Sequence, residues 1–285
     1  MGKLREQMEA DLKIGGYSAS TRKSYLRYAR QYAAYHMRSP AEMGAEEVRR
    51  FLLHMVEEQQ VSRATLQVVR AALVFLYRVT LNRPMEVGWV PVPRRPKPLP
   101  VVLSGTEITA LLGAIKSLKY RTLMSALYAA GLRISEGCRL QPSSIDSRRM
   151  IIYIRGKGEK DRLTLLSTRL LKELRAYWRL ARPEGEWLFP GRTGAGHVSP
   201  ESVRQVFHKA VEAAGISKKV TVHTLRHSFA THLVETGTDV TVVQTLLGHT
   251  SPRTTRLYTH TSIEKLAQTR SPLDLLGTRA ASILG

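Results

Sequence analysis

The chain has 285 residues, enough for two domains that each bury a core. Its 43% hydrophobic and 24% charged content is that of a globular protein rather than a disordered or fibrous one. Its charge is less ordinary: 44 lysines and arginines against 23 acids leave +21, spread over both halves and richer in arginine than lysine, so nucleic acid leads a merely solubilising role. With no run of 18 apolar residues and no apolar signal core after MGKLREQMEA, neither a membrane partner nor secretion is expected, and the location is taken as cytoplasmic and nucleoid-associated. The single Cys138, without any CxxC, excludes an intramolecular disulfide and a thiolate zinc site.

Apolar spacing predicts four helices at about 2–14, 18–38, 45–59 and 62–81, separated by GGYS, RSPAEMG and QQVS. In the second, Tyr25, Tyr28, Tyr32 and Tyr35 share one stripe, read as a packing face rather than a base-stacking surface. Lys23, Arg27, Arg30 and Arg38 fall on the opposite face, and Arg63, Arg70 and Arg78 form a similar row on the fourth helix. Either row is a solvated face or a surface that lies along a duplex backbone. GWVPVPRRPKPLP, residues 88–100, is too rich in proline for a helix interior and is expected to be a semi-rigid linker, with Arg94 and Arg95 running close to a polyanion. The expected division is therefore 1–87, a linker at 88–100, and 101–285.

Beyond the linker a helix over 104–130 ends at Gly131, and MIIYIRGKGEKDRLTLLS at 150–167 reads as a hairpin. Further helices are expected at about 168–181, 200–214, 223–236, 239–247 and 252–269. Ser199-Pro200 and Ser251-Pro252 are start signals, and Gly237 and Gly248 are stops. The expected class is mainly α (α+β), with a small antiparallel sheet in the second part.

Within VHTLRHSFATHL, His223 and Arg226 lie three apart and project from one face, while Leu225, Phe229 and Leu233 form a separate apolar stripe. His227 and His232 lack a carboxylate or thiol to complete a metal set and read as locally hydrogen-bonded. Arg133, in AAGLRISEGCRL, sits just past a helix-ending glycine, and Glu136 either orients a cation there or is simply exposed. Lys157 stands between two glycines that let the backbone approach a ligand, although GKG lacks the spacing of a Walker A loop. If Arg133, Lys157, His223, Arg226 and His249 converge, they make a pocket for phosphate. Arginine pairs there would stabilise the added charge of a pentacoordinate transition state. No acidic pair among these cations holds two metal ions, so Tyr258, nine residues after His249, is the candidate nucleophile, its phenolate favoured by the surrounding cations. Attack on a phosphodiester would retain the bond energy in a phosphotyrosine ester, so rejoining would need neither ATP, metal nor other cofactor.

GLRISE around Arg133, GKGEKDR with Lys157, HTLRHSFATHL with His223 and Arg226, LLGH with His249 and TTRLYTH with Tyr258 stand in the order and spacing of one family. Over essentially its whole length the chain resembles a tyrosine recombinase, the phage-integrase family, and especially its Xer-like bacterial members. The resemblance implies a SAM-like helical core-binding domain followed by the catalytic domain, the two forming a clamp on double-stranded DNA. It implies that Tyr258 attacks the scissile phosphate to leave a 3′-phosphotyrosine and a 5′-hydroxyl, and that Arg133, Arg226 and His249 hold the nonbridging oxygens. Lys157 would protonate the leaving oxygen, His223 would assist the nucleophile, and Glu136 would support the arginines from behind. Lys23, Arg27, Arg30, Arg63, Arg70, Arg94 and Arg95 are expected to touch DNA. The working form would be a homotetramer on two sites, with or without a paralogous recombinase. A type IB topoisomerase-like enzyme and a non-catalytic DNA-binding protein are the alternatives. One departure is Gly137-Cys138, where the family carries large apolar residues, and it is expected to loosen that helix.

Overall fold

The computed structural model describes residues 2–83, 100–155, 161–194, 196–248 and 269–276. It divides into two compact units, 1–97 and 98–285, each with its own core. The proline-rich stretch apart from Pro100, and the predicted helix at 252–269 apart from Thr269, lie outside the described residues, as do Arg94, Arg95, Lys157, His249 and Tyr258.

The described residues of the first unit form four α-helices, α1 Gly2–Ile14, α2 Ala19–His36, α3 Ala45–Glu57 and α4 Arg63–Phe75, with a single 3-10 turn at Pro40–Glu42 between α2 and α3. Ser18 and Ser62 start α2 and α4 by accepting from the N–H of Thr21 and Thr65, each at 3.2 Å. α4 continues into a single wide turn, Leu76–Thr80, so the predicted helix to 81 is there but loosens at its end. The tyrosine stripe packs as expected: Tyr28 and Tyr32 are buried, and the Tyr32 and Tyr77 hydroxyls meet at 2.8 Å inside the core. Tyr35 stays partly exposed and stacks on His54, with ring centroids 4.4 Å apart.

The second unit begins with α5 Gly105–Ala114 and α6 Leu118–Ala129, which replace the single predicted helix over 104–130. The chain leaves helical geometry at Ile115 (φ −83°, ψ 104°), whose buried side chain joins the core, and restarts after Ser117. Every residue from Thr122 to Ala129 is buried, which makes α6 the central helix, covered on all sides. α7 Ile134–Cys138 follows, then strands β1 Ile145–Asp146, β2 Ile151–Ile154 and β3 Arg162–Leu165, paired antiparallel in the order β1-β2-β3. The predicted hairpin is β2–β3, and β1 is an unforeseen third strand, too short to leave an alternating pattern.

Helices α8 Thr168–Ala181, α9 Pro200–Ala213, α10 Val222–Glu235 and α11 Val240–Leu247 follow close to their predicted limits, with a short helix at Pro272–Leu275. Ser199 caps α9 by accepting from Ser202 N–H at 3.0 Å, with Pro200 in the first turn. α6 packs against α8 and α10, and α11 rests on β3 and α10.

Gly137 does not loosen α7. A Cβ there would lie 2.5 Å from Leu127 Cδ2, so the glycine lets α7 press directly onto α6, and Cys138 beside it is fully buried. No described helix is long and apolar enough to cross a membrane.

Candidate active site

The site grows from a packing problem at the end of α6. The chain leaves the core there through Ala129, Ala130 and Gly131, and three buried carbonyls need donors. Each gets one from a different element: Ser271 Oγ donates to Ala129 O at 2.7 Å, Thr164 Oγ1 on β3 to Ala130 O at 2.7 Å, and an Arg226 guanidinium nitrogen on α10 to Gly131 O at 2.7 Å. The turn closes at Gly131 (φ +60°), where a Cβ would lie 2.5 Å from the Phe229 ring; only glycine lets α10 come this near. Arg133 is delivered just beyond as the cap of α7, its backbone N–H held by Glu136 Oε2 at 2.7 Å.

Glu136 is the hub. Its Oε1 accepts from the Arg133 guanidinium at 2.8 Å, and both its oxygens accept from the fork of Arg162 at 2.7 Å each. A guanidinium nitrogen of Arg226 stands 4.0 Å from Oε2. The same two buried arginines cap the end of α11: Arg162 Nε donates to Leu246 O at 2.9 Å, and Arg226 donates to Leu247 O. Burial by itself would raise the Glu136 carboxyl, but the bonds and charge of Arg162, with those of Arg133, outweigh it and hold it at about 2. Burial, then the neighbouring Arg133 and Arg162 charges, pushes Arg226 down to about 10, with Glu136 pulling the other way. At that value Arg226 stays protonated at neutral pH by roughly a thousandfold. These four side chains therefore carry three guanidiniums and one carboxylate, a local surplus of two positive charges at neutral pH.

Arg133 and Glu136, neighbours in one turn, are thus joined by Arg226 from a helix far along the chain. Arg133 keeps 45% of its side chain exposed, while Arg226 is 3% exposed and does not project from α10 as its spacing predicts. His223, one turn before it, is exposed and meets the His227 ring edge to face at 4.6 Å. His232 Nδ1 lies 2.8 Å from the Tyr128 hydroxyl, as a locally satisfied histidine should, and no cluster of metal-ligating side chains occurs among the described residues. Leu225, Phe229 and Leu233 are fully buried, the predicted anchor of α10. In the first unit Lys23, Arg27, Arg30 and Arg63 are exposed and Arg70 is half-buried.

Sequence reasoning passed over Arg162. In RLTL the alternation puts Arg162 and Thr164 on one face and two leucines on the other, and the apolar face is the natural choice for the core. Both faces are in fact covered: Arg162 is 4% exposed and Thr164 fully buried, against the α6 end and α11. The usable signal was a strand whose polar face pairs arginine with threonine close to a conspicuous run of basic motifs. A cleft of about 430 Å³ opens beside this strand, lined among others by Ser143, Ser144, Tyr153, Arg155 and Arg162.

Comparison with known proteins agrees with this architecture. Residues 4–87 match the phage integrase N-terminal SAM-like domain and residues 102–265 the phage integrase family. The chain is 41% identical to y4qK of Sinorhizobium fredii over 280 residues, 97% of this chain and 90% of that one. It is 34% identical to the tyrosine recombinase XerA of Thermococcus onnurineus over 276 residues, 95% of each. A lambda integrase tetramer bound to a Holliday junction superposes with a TM-score of 0.71 over 88% of this chain and 77% of that one, at 18% identity, which establishes a shared fold. With a mainly helical SAM-like unit, a helical unit holding a small antiparallel sheet, and family matches across most of its length, the chain belongs to the phage integrase family and is a Xer-like tyrosine site-specific recombinase.

Proposed function

We propose that this recombinase cleaves and rejoins double-stranded DNA through Tyr258, in the catalytic part 101–285, with 1–87 and the linker 88–100 gripping the duplex. The observation that carries the proposal is the Arg133–Glu136–Arg162–Arg226 constellation. A phosphodiester brings one negative charge, and more accumulates on its nonbridging oxygens as the nucleophile adds, so a fixed surplus of positive charge favours the transition state over the ground state. The exposed Arg133 is the group that can touch those oxygens first. Arg226, with two of its five N–H groups directed to carbonyls, acts mainly through its charge until the duplex opens a path to it. Lys157 protonates the departing 5′-oxygen, while His223 and His249 serve the nucleophile and a nonbridging oxygen. No cofactor enters the reaction, because the energy of the broken bond is kept in the 3′-phosphotyrosine ester. Two duplexes are exchanged by four copies of the chain, with or without a paralogous recombinase, at the nucleoid in the cytoplasm. The fold shared with the lambda integrase tetramer on a Holliday junction supports this assembly.

The test is covalent capture. Full-length protein is incubated with nicked duplex fragments of its host's DNA, adducts are isolated under denaturing conditions, and the attached DNA is sequenced. Wild type should yield adducts with free 5′-hydroxyl ends at a small set of related sequences, and Tyr258→Phe should yield none. Adducts that persist in Tyr258→Phe would move the nucleophile elsewhere. Plasmid relaxation without any joining of two DNAs would favour the topoisomerase-like alternative.

A further inference from the structure

We propose that Arg162 is a positioning residue of the recombination centre, orienting Glu136 behind Arg133 and fixing the end of α11 from which the chain runs to His249. The inference rests on the assignment of Arg133 to the phosphate. Three observations place the residue in this role. Its fork meets both Glu136 oxygens at 2.7 Å, which sets the plane of the carboxylate and leaves Oε1 shared between Arg162 and Arg133. Its third nitrogen, Nε, donates to Leu246 O at 2.9 Å, in the last turn of α11. Its aliphatic stem passes beneath Gly248: a Cβ at 248 would lie 2.7 Å from Arg162 Cδ. Gly248 has φ +63° and ψ 41°, ends α11, and directly precedes His249.

The arrangement has an electrostatic consequence for Arg133. A carboxylate that paired with Arg133 alone would cancel its charge and draw the guanidinium back from any phosphate. Glu136 instead faces two full hydrogen-bonded guanidiniums and a third at 4.0 Å, so Arg133 is oriented without being neutralised. Lysine cannot replace this geometry, because a single ammonium cannot span both carboxylate oxygens and the α11 carbonyl at once.

The experiment uses the full chain and a nicked duplex bearing a sequence recovered by the covalent capture described above. Single-turnover adduct formation, duplex affinity and thermal unfolding are measured for wild type, Arg162→Lys, Arg133→Lys and the double variant. If Arg162 acts through Glu136 on Arg133, Arg162→Lys binds duplex within about twofold of wild type but forms adduct about 10²-fold more slowly, the size expected from a misplacement of about 1 Å. In the Arg133→Lys background the same change then costs about threefold or less, because the group it positions is already altered. An adduct rate within about threefold of wild type in Arg162→Lys, or an undiminished loss in the double variant, would overturn the proposal. So would loss of the folded state in both Arg162→Lys and Arg162→Gln, which would make the residue one of stability alone. Absence of any Tyr258-dependent adduct from wild type is a separate result, striking the assignment of the centre itself and this inference with it.

Discussion

Along α2 of the first unit, Lys23, Arg27 and Arg30 stand exposed to solvent; in the second unit Arg162 and Arg226 are 4% and 3% exposed, both donate to backbone carbonyls, and Arg162 also grips a carboxylate. In the first core a buried polar contact is instead made by two neutral hydroxyls, Tyr32 and Tyr77. The same residue type thus does two jobs. Exposed arginines work through a screened field, in which any one is replaceable. Buried ones hold backbone and carboxylate in one geometry, so each depends on its partners. The distinction predicts how sharply the two units respond to substitution.

The largest response should follow Glu136→Gln. Removing the carboxylate leaves Arg162 and Arg226 buried without their counter-charge, a change that costs about 3–5 kcal/mol when a buried pair is broken. Urea unfolding followed by a probe in the second unit measures it, and a loss below about 1 kcal/mol would mean that the buried arginines are hydrated or rearranged. The pH dependence has a definite sign. The Glu136 carboxyl is held at about 2 in the folded chain, below the usual glutamate value, so its stabilisation is complete above about pH 5 and is lost as pH falls toward 2. That contribution is about 3 kcal/mol. Glu136→Gln should therefore flatten the acid limb of the stability profile.

Gly131→Ala should come next. It forces an L side chain into left-handed backbone and drives a Cβ to 2.5 Å from Phe229, together about 2–4 kcal/mol. The displaced Gly131 carbonyl would also disturb Arg226, so catalysis should fall further than stability alone requires. Thermal unfolding and single-turnover cleavage on the same samples separate the two losses. In the first unit Tyr32→Phe removes one partner of a buried hydroxyl pair and should cost only about 1 kcal/mol. Smallest of all, Arg27→Ala combined with Arg30→Ala should leave stability within about 0.5 kcal/mol. If these residues meet the DNA backbone, the pair also lowers the slope of log affinity against log salt by about 2. An unchanged slope would assign them to a solvated face.

Some of this organisation could be read before any coordinates. Leu225, Phe229 and Leu233 recur at helical spacing because one face of α10 must be apolar to pack, and a period survives in sequence. Ser199-Pro200 marks the start of α9 because capping is a local hydrogen bond between residues three apart. Arg133 and Glu136 are also neighbours in sequence, and their pairing is a property of one turn. Other features left no such trace. The break at Ile115–Ser117 depends on where one buried isoleucine finds room. Gly137 looked like a weak point and proved to be a contact surface for α6. Arg162 was missed because an alternating strand does not say which of its faces is covered.

The sequence by itself determined the helical periods, the capping serines and prolines, the basic surplus and the ordered motifs that identify the family, since each is encoded in spacing along the chain or in total charge. Only the tertiary structure decided that Arg226 turns inward, that Arg162 joins Glu136 across 26 positions, and that Arg226 ties the turn after α6 to the end of α11. The physical reason is common to all three. Helix ends leave carbonyls unsatisfied wherever the chain stops, and which donors reach them is settled by the packing of distant elements, not by any local pattern.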